Sequence, residues 1–243
     1  MGHLGRYWAT IEAEYPSADQ LPVYNMPIES FGQGTSVLAG LAVEIGEPLG
    51  ITRLLMYKED RSQVCQLQGN WLAVNWRQDV EDGFASYQRY SATRREFAER
   101  YENFATYIKE TLDGSLTPQQ CEVTYVNHIR EPQASALDEI GKVLRIFGDV
   151  GSFSGGNLEG LALHAAHPIE HNSVTVGRLH LTLSTVQGSE RPLLVLNLTA
   201  RGRPLGSGLD GILRFLDVGR EAVVVNFRDV TTDEMHVEWG LKR

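Results

Sequence analysis

Two cysteines, Cys65 and Cys121, are too few among 243 residues for a disulfide framework. Both fall in alternating or apolar strand-like stretches, where a thiol behaves as a small buried hydrophobe, and a zinc site is not expected from them. No apolar run approaches the roughly eighteen residues that span a bilayer. The opening MGHLGRYW lacks the basic and then apolar pattern of a secretory leader, so the expectation is a cytoplasmic protein without membrane association. Basic residues are also short, 22 Lys and Arg against 31 Asp and Glu, for a net charge of −9 and a pI near 5.3. That balance argues against a surface that grips nucleic acid phosphates without regard to sequence.

Complete catalytic signatures are missing as well. There is no G-x-S-x-G elbow, no HExxH and no Walker A Lys-Ser/Thr pair, and neither cysteine lies in a recognised protease signature. The segment GSGLDG at 206–211 matches G-x-G-x-x-G, but five residues, Arg201 to Leu205, separate it from the preceding apolar strand. A dinucleotide fingerprint needs its turn directly at the strand end, so a strand-to-helix loop is the reading and no cofactor is expected. His164, His167 and His171, with Glu170 beside them, are the one cluster of metal-like content. Their stretch contains Pro168 and reads as a strand end and turn, where spacing does not make imidazoles converge, so no metal is assigned. Asn197 and Thr199 stand at alternate positions of LLVLNLTA where an acidic pair would have suggested metal-assisted hydrolysis.

What is present is a 42% hydrophobic, 22% charged chain with two clear periods. A helix begins at YWATIEAEY and meets Pro16, and a Pro- and Gly-rich connection runs to about residue 35. Strands follow at 51–57, 62–68 and 71–77, the last two joined by Gly69-Asn70, a hairpin signal because both residues tolerate positive φ. Phe97, Tyr101, Phe104, Ile108 and Leu112 then recur on one face and predict a helix near 92–112, ended by Gly114. CEVTYVNHI at 121–129 alternates as a strand. Beyond it come a helix over 134–147, a loop GDVGSFSGGN at 148–157, and strands near 159–166, 174–187 and 192–201. A final stretch, 208–228, has helical spacing, but its run EAVVVNF is rich in β-branched residues and fits a strand as well. Thr231 and Glu234 have capping-box spacing and predict a short terminal helix anchored by Trp239. The expected fold is α+β, in two pseudo-repeated halves, 1–130 and 131–243, each an antiparallel meander packed on a long helix as parts of one compact unit.

Asn75-Trp76-Arg77, the YQRYSATRREF segment at 87–97, the strand CEVTYVNHI and the closing FRDVTTDEMHVEWG at 227–240 together resemble a sporadically distributed bacterial and archaeal family of about this size with no established activity. The resemblance favours helix over 208–228. It also implies an additional apolar strand ahead of the first helix, and only seven residues precede Trp8 here. A strand missing at that place would leave a sheet edge open for association. The family's sporadic occurrence implies an accessory system of the antiviral-defence or toxin–antitoxin kind.

Asn75, Trp76, Arg77, Tyr87, Arg89 and Tyr90 are the candidate binding residues, because Trp, Tyr and Arg dominate interaction hot spots. The competing reading puts Trp76 in a core with Phe97, Tyr101 and Phe104. The functional expectation is a non-enzymatic interaction module acting with a protein partner or as a homo-oligomer. The alternative is a small-ligand-binding or hydrolytic protein with its site between sheet and helices.

Overall fold

The computed structural model describes residues 2–30, 52–77, 88–130, 139–147, 160–186 and 193–240. The chain folds as two units: residues 2–28, 52–77 and 88–117 form the first, and Glu29, Ser30 and the described residues from Pro118 onward form the second. Each is α+β, with a four-stranded antiparallel sheet. Among the described residues no helix is long and apolar enough to cross a membrane.

The first unit opens with α1 (His3–Ile11), whose Tyr7 and Ile11 lie four apart and are both buried. Strands β1 (Ser17–Pro22), β2 (Thr52–Tyr57), β3 (Gln63–Gln68) and β4 (Trp71–Trp76) pair in that order. β1 falls inside the stretch expected to be a connection. Its residues SADQLP have no apolar alternation, and pairing with β2 from Ser17–Tyr57 to Pro22–Thr52 makes them a strand. The β3–β4 hairpin forms around Gly69-Asn70, but neither residue takes positive φ. That conformation appears instead at Asn172 and Ser173, with φ of 51° and 59°.

Helix α2 (Tyr90–Leu112) ends where Asp113 turns left-handed at φ 49° and the next residue, Gly114, donates its N–H to Ile108 O at 3.2 Å. The core of this unit is Tyr7, Ile11, Tyr15, Leu54, Met56, Cys65 and Leu67, with Phe104 and Tyr107 packed against it. Of the expected cluster Trp76, Phe97, Tyr101 and Phe104, Phe104 alone joins that core, and the other three are half-buried outside it. Phe104 enters that core through α1, whose Tyr7 ring it meets edge-on at 5.0 Å.

In the second unit β5 (Cys121–Ile129), β6 (Ala162–His171), β7 (Val174–Val186) and β8 (Leu193–Gly202) form a sheet of order β5-β8-β7-β6. β5, placed by the sequence reading in the N-terminal half, is hydrogen-bonded to β8 along its whole length. The Asn172–Ser173 turn closes the β6–β7 hairpin, and β6 runs through Pro168, which an edge strand tolerates. The described part of the expected 134–147 helix is one turn, α3 (Ile140–Val143), followed by a 3₁₀ turn at Arg145–Phe147. Leu144 between them bridges to Thr231. The loop expected at 148–157 lies outside the described residues.

Helix α4 (Gly208–Val230) covers one face of this sheet, and its β-branched run is helical. The face it buries is Ile212, Phe215, Leu216, Gly219 and Val223; Gly219 lies against Ala200 of β8, and Val223 joins one core with Leu194, Leu196, Leu198 and Ala200 of β8 and Leu179, Leu181 and Leu183 of β7. Gly177 and Gly202 pair across β7 and β8 beneath the Phe215 ring. A Cβ on Gly202 would stand 2.4 Å from that ring, so the two glycines are what lets α4 seat so close. The short α5 (Asp233–Glu238) is capped by Thr232, whose hydroxyl accepts from Met235 N–H, one residue later than the spacing of Thr231 and Glu234 suggests. Trp239 packs its ring on Phe227.

Candidate functional site

Alternation sends every second residue of β5 to β8 away from α4, and that face is polar. Register lays it out in rows. Glu122, Arg201, Arg178 and Pro168 lie side by side across β5, β8, β7 and β6, and the next row is Thr124, Thr199, His180 and Ala166. Asn197, Thr182 and His164 continue one row further. Arg178 directly opposite Arg201 is a like-charge cross-strand pair, which by itself disfavours the sheet. An anion between them reverses the sign of that interaction.

The anion is Glu29, which arrives from outside the sheet on a segment without regular structure. Its Oε1 accepts a close ion-paired hydrogen bond from Arg178 Nη1, and its Oε2 lies 2.7 Å from His180 Nε2 and 4.0 Å from Arg201 Nη1. Arg201 is held from its other side by Glu122, Nε to Oε2 at 2.7 Å. The main chain is read too: Arg178 Nη1 donates to Ser30 O at 2.7 Å, and Glu29 N–H donates to Gln120 Oε1 at 2.7 Å. Glu29 retains 7% side-chain exposure, yet its neighbour Ile28 is 84% exposed.

Behind His180 stands His164, its ring stacked at 5.6 Å and 8°, with Nε2 3.3 Å from His180 Nδ1. Burial and the charge of His180 hold His164 below the ordinary imidazole range. Burial pushes the Glu29 carboxyl up, but hydrogen bonds from His180 and Arg178, reinforced by their charges, outweigh it and leave the group below its ordinary value. The assembly therefore holds one carboxylate ionised among two guanidiniums and an imidazole.

The six sequence candidates lie elsewhere. Asn75 is exposed and accepts from Gln66 Nε2, Trp76 is half-buried, and Arg77 is exposed, donating to Arg61 O at 3.0 Å. Arg89 is the N-cap of α2 and Tyr90 its first residue, while Tyr87 lies outside the described residues. His164 and His167 are three apart on a strand and so face opposite ways. No group of three His, Cys, Asp or Glu among the described residues is placed to hold a metal. Both cysteines are free and buried, their thiols pushed up to about 12 by burial. GSGLDG is the turn into α4: Gly206 and Gly208 take positive φ, and Gly211 sits against the Gly206 backbone.

A cleft of about 400 Å³ is lined by Arg145, Arg228, Asp229, Asp233 and His236. There Asp233 Oδ1, His236 Nδ1, His236 Nε2 and Thr231 Oγ1 form a chain with spacings of 3.5 and 2.7 Å. It resembles a nucleophile relay, but Thr231 is fully buried and its hydroxyl donates to Phe227 O at 2.6 Å. A hydroxyl whose proton is spent on a helix carbonyl is a helix-end bond, not a nucleophile.

Comparison with protein-family models, with curated proteins and with solved structures finds no match to this chain.

The Glu29 site was within partial reach of the sequence. GRLHLTL and LNLTARG both carry polar residues at every second place of otherwise apolar strands, which marks one polar sheet face. Nothing local in PIES marks Glu29 as its occupant.

Proposed function

We propose that this chain is a non-enzymatic protein-interaction module whose recognition surface is the polar face of its second sheet. The observation that carries this reading is that the face is already engaged with polypeptide: Arg178 and Gln120 bond the main chain of residues 29–30 while Arg178, His180 and Arg201 surround a side chain. Recognition of main chain and side chain together is how extended peptides are bound. The layer between this sheet and α4, where the alternative reading would put a small-molecule site, is filled by leucine, valine and phenylalanine.

Random-peptide display against the full chain tests the reading. Enriched peptides are expected to bind wild type in calorimetry and to weaken about tenfold or more in Arg178→Ala and in Thr199→Glu, which sets a new carboxylate in the row beside Arg201. Failure to enrich any peptide, or enrichment of peptides indifferent to both variants, overturns it. A small metabolite that raises the melting temperature of wild type but not of Arg178→Ala would restore the small-ligand alternative.

A further inference from the structure

We infer that a second copy of this chain docks on the outer edge of β5, antiparallel and strand to strand, so that the sheets of two second units join into one about a two-fold axis at Tyr125. This edge is separate from the Arg178 and His180 rows proposed to take peptide, and its occupant is the chain itself.

The four sheet edges are protected unequally. β1 ends in Pro22, β4 is six residues long, and β6 carries Pro168 and a register shift at Ile169–Glu170. β5 has none of these devices: its nine residues, CEVTYVNHI, contain no proline, glycine or lysine and keep an unbroken register against β8. Among the described residues, the bonds to its main chain come from β8 alone. Its polar side is uncovered as well. Thr124 and His128 are exposed, and Val126 between them is 59% exposed although it lies in mid-strand.

A second copy is selected over other extended segments by the strand's own two-fold chemistry. Side chains directly opposite in an antiparallel pair share a face, and turning β5 about Tyr125 matches all nine residues, whereas any other two-fold register leaves some of them unpaired. On the polar side Glu122 then meets His128 of the second copy, twice by symmetry, and Thr124 meets Val126 and covers its methyls. On the other side Tyr125 meets its own equivalent at the axis, an aromatic pair flanked by Val123 against Asn127. Glu122 Oε2 is taken by Arg201 Nε, but Oε1 accepts only from Thr124 Oγ1 and keeps capacity for an imidazole N–H. The interface is isologous and closes at two chains.

Sedimentation equilibrium of the full chain between about 1 and 100 μM reads the association. Wild type is expected at twice its 27.1 kDa at the upper end of that range. Val126→Lys places a charge where a methyl group was to be covered, and His128→Glu sets two carboxylates opposite each other at both ends of the pairing. Each is expected to raise the dimer dissociation constant about tenfold or more, while His128→Lys, which keeps the opposite sign to Glu122, is expected to hold it within about threefold. Both positions are exposed in the single chain, so the variants are expected to melt as cooperatively as wild type. Where Val126→Lys does not fold, the contrast between His128→Glu and His128→Lys carries the test. A wild-type chain still monomeric at about 100 μM, or a dimer that His128→Glu leaves unchanged, overturns the inference. A monomeric wild type whose display peptides are lost in Val126→Lys assigns the edge to another protein's strand, which overturns the second copy and leaves the interaction module standing.

Discussion

Glu96 of the first unit and Glu29 of the second are both buried carboxylates held by arginine, but their partners reach them in different ways. Glu96 sits on α2 with Arg100 one helical turn away, Nε to Oε1 at 3.2 Å. Tyr15 donates to its Oε1 at 2.9 Å and Lys58 to its Oε2 at 2.8 Å. Arg100 in turn reaches Glu14 at 3.0 Å and lies over the Tyr15 ring at 5.6 Å. Once α2 forms, Glu96 and Arg100 are neighbours whatever else happens. Glu29 has no such local tie: its donors are assembled by the register of β7 and β8, and the carboxylate is delivered to them. A charge pair fixed by one helix is part of the fold, whereas a preassembled donor set with a delivered anion has the form of a binding site.

Deleting an arginine should separate the two most sharply. Arg100 keeps 3% side-chain exposure, and Arg100→Ala strands Glu96 in the core with only Lys58 and Tyr15 to hold it. The expected loss is about 3–5 kcal/mol, read from the urea unfolding midpoint at constant m-value. A loss below about 1 kcal/mol would mean that water reaches Glu96 and that it is not the fixed member of the comparison.

Glu29→Gln should cost less, about 1.5–3 kcal/mol, the worth of hydrogen bonds to charged groups. Arg178 and Arg201 keep 17% and 11% side-chain exposure against 3% for Arg100, so water screens the charges left by this change better than it screens Glu96. Equal losses in the two variants would erase the distinction drawn between them.

Much of the scaffold was legible in the sequence because its signals are local. Phe97, Tyr101, Phe104 and Ile108 recur at helical spacing in α2, and Leu194, Leu196, Leu198 and Ala200 alternate in β8. The run at Val223 was ambiguous by propensity. It is helix because Ile212, Phe215, Leu216, Gly219 and Val223 form one buried stripe, and packing overrides β-branching there. β1 was not legible, since its polar residues acquire strand geometry only by pairing with β2. The site was legible least of all. Arg178 and Arg201 meet only because β7 and β8 pair in one register, and Glu29 reaches Arg178 across 149 residues of chain and Arg201 across still more. Tertiary order of that kind leaves no local period to detect.

Acid titration gives the smallest effect and the finest comparison. Both carboxyls are pushed up by burial yet end below their ordinary 4.5, Glu29 through bonds and charge from His180 and Arg178, Glu96 through bonds from Lys58 and Tyr15 and the charges of Lys58 and Arg100. A depressed carboxyl contributes stability that is fully present above its unfolded value and is lost as pH falls from there through the folded one. No single group can change stability by more than about 1.4 kcal/mol per pH unit, so between pH 4.5 and 3.5 the loss attributable to each stays within that ceiling. Stability measured by urea titration at each pH should therefore fall below about 4.5, with a shallower slope in Glu29→Gln and in Glu96→Gln than in wild type. His180 separates the two: it faces Glu29 and not Glu96, so in a His180→Gln background the Glu29 carboxyl loses its strongest bond and rises, while Glu96 keeps its depressed value. Replacing Glu29 should then flatten the acid slope less than it does in wild type, and replacing Glu96 should flatten it just as much. A slope that responds to His180→Gln through both carboxylates would show the two clusters titrating as one system and end the contrast between a fixed pair and a filled seat.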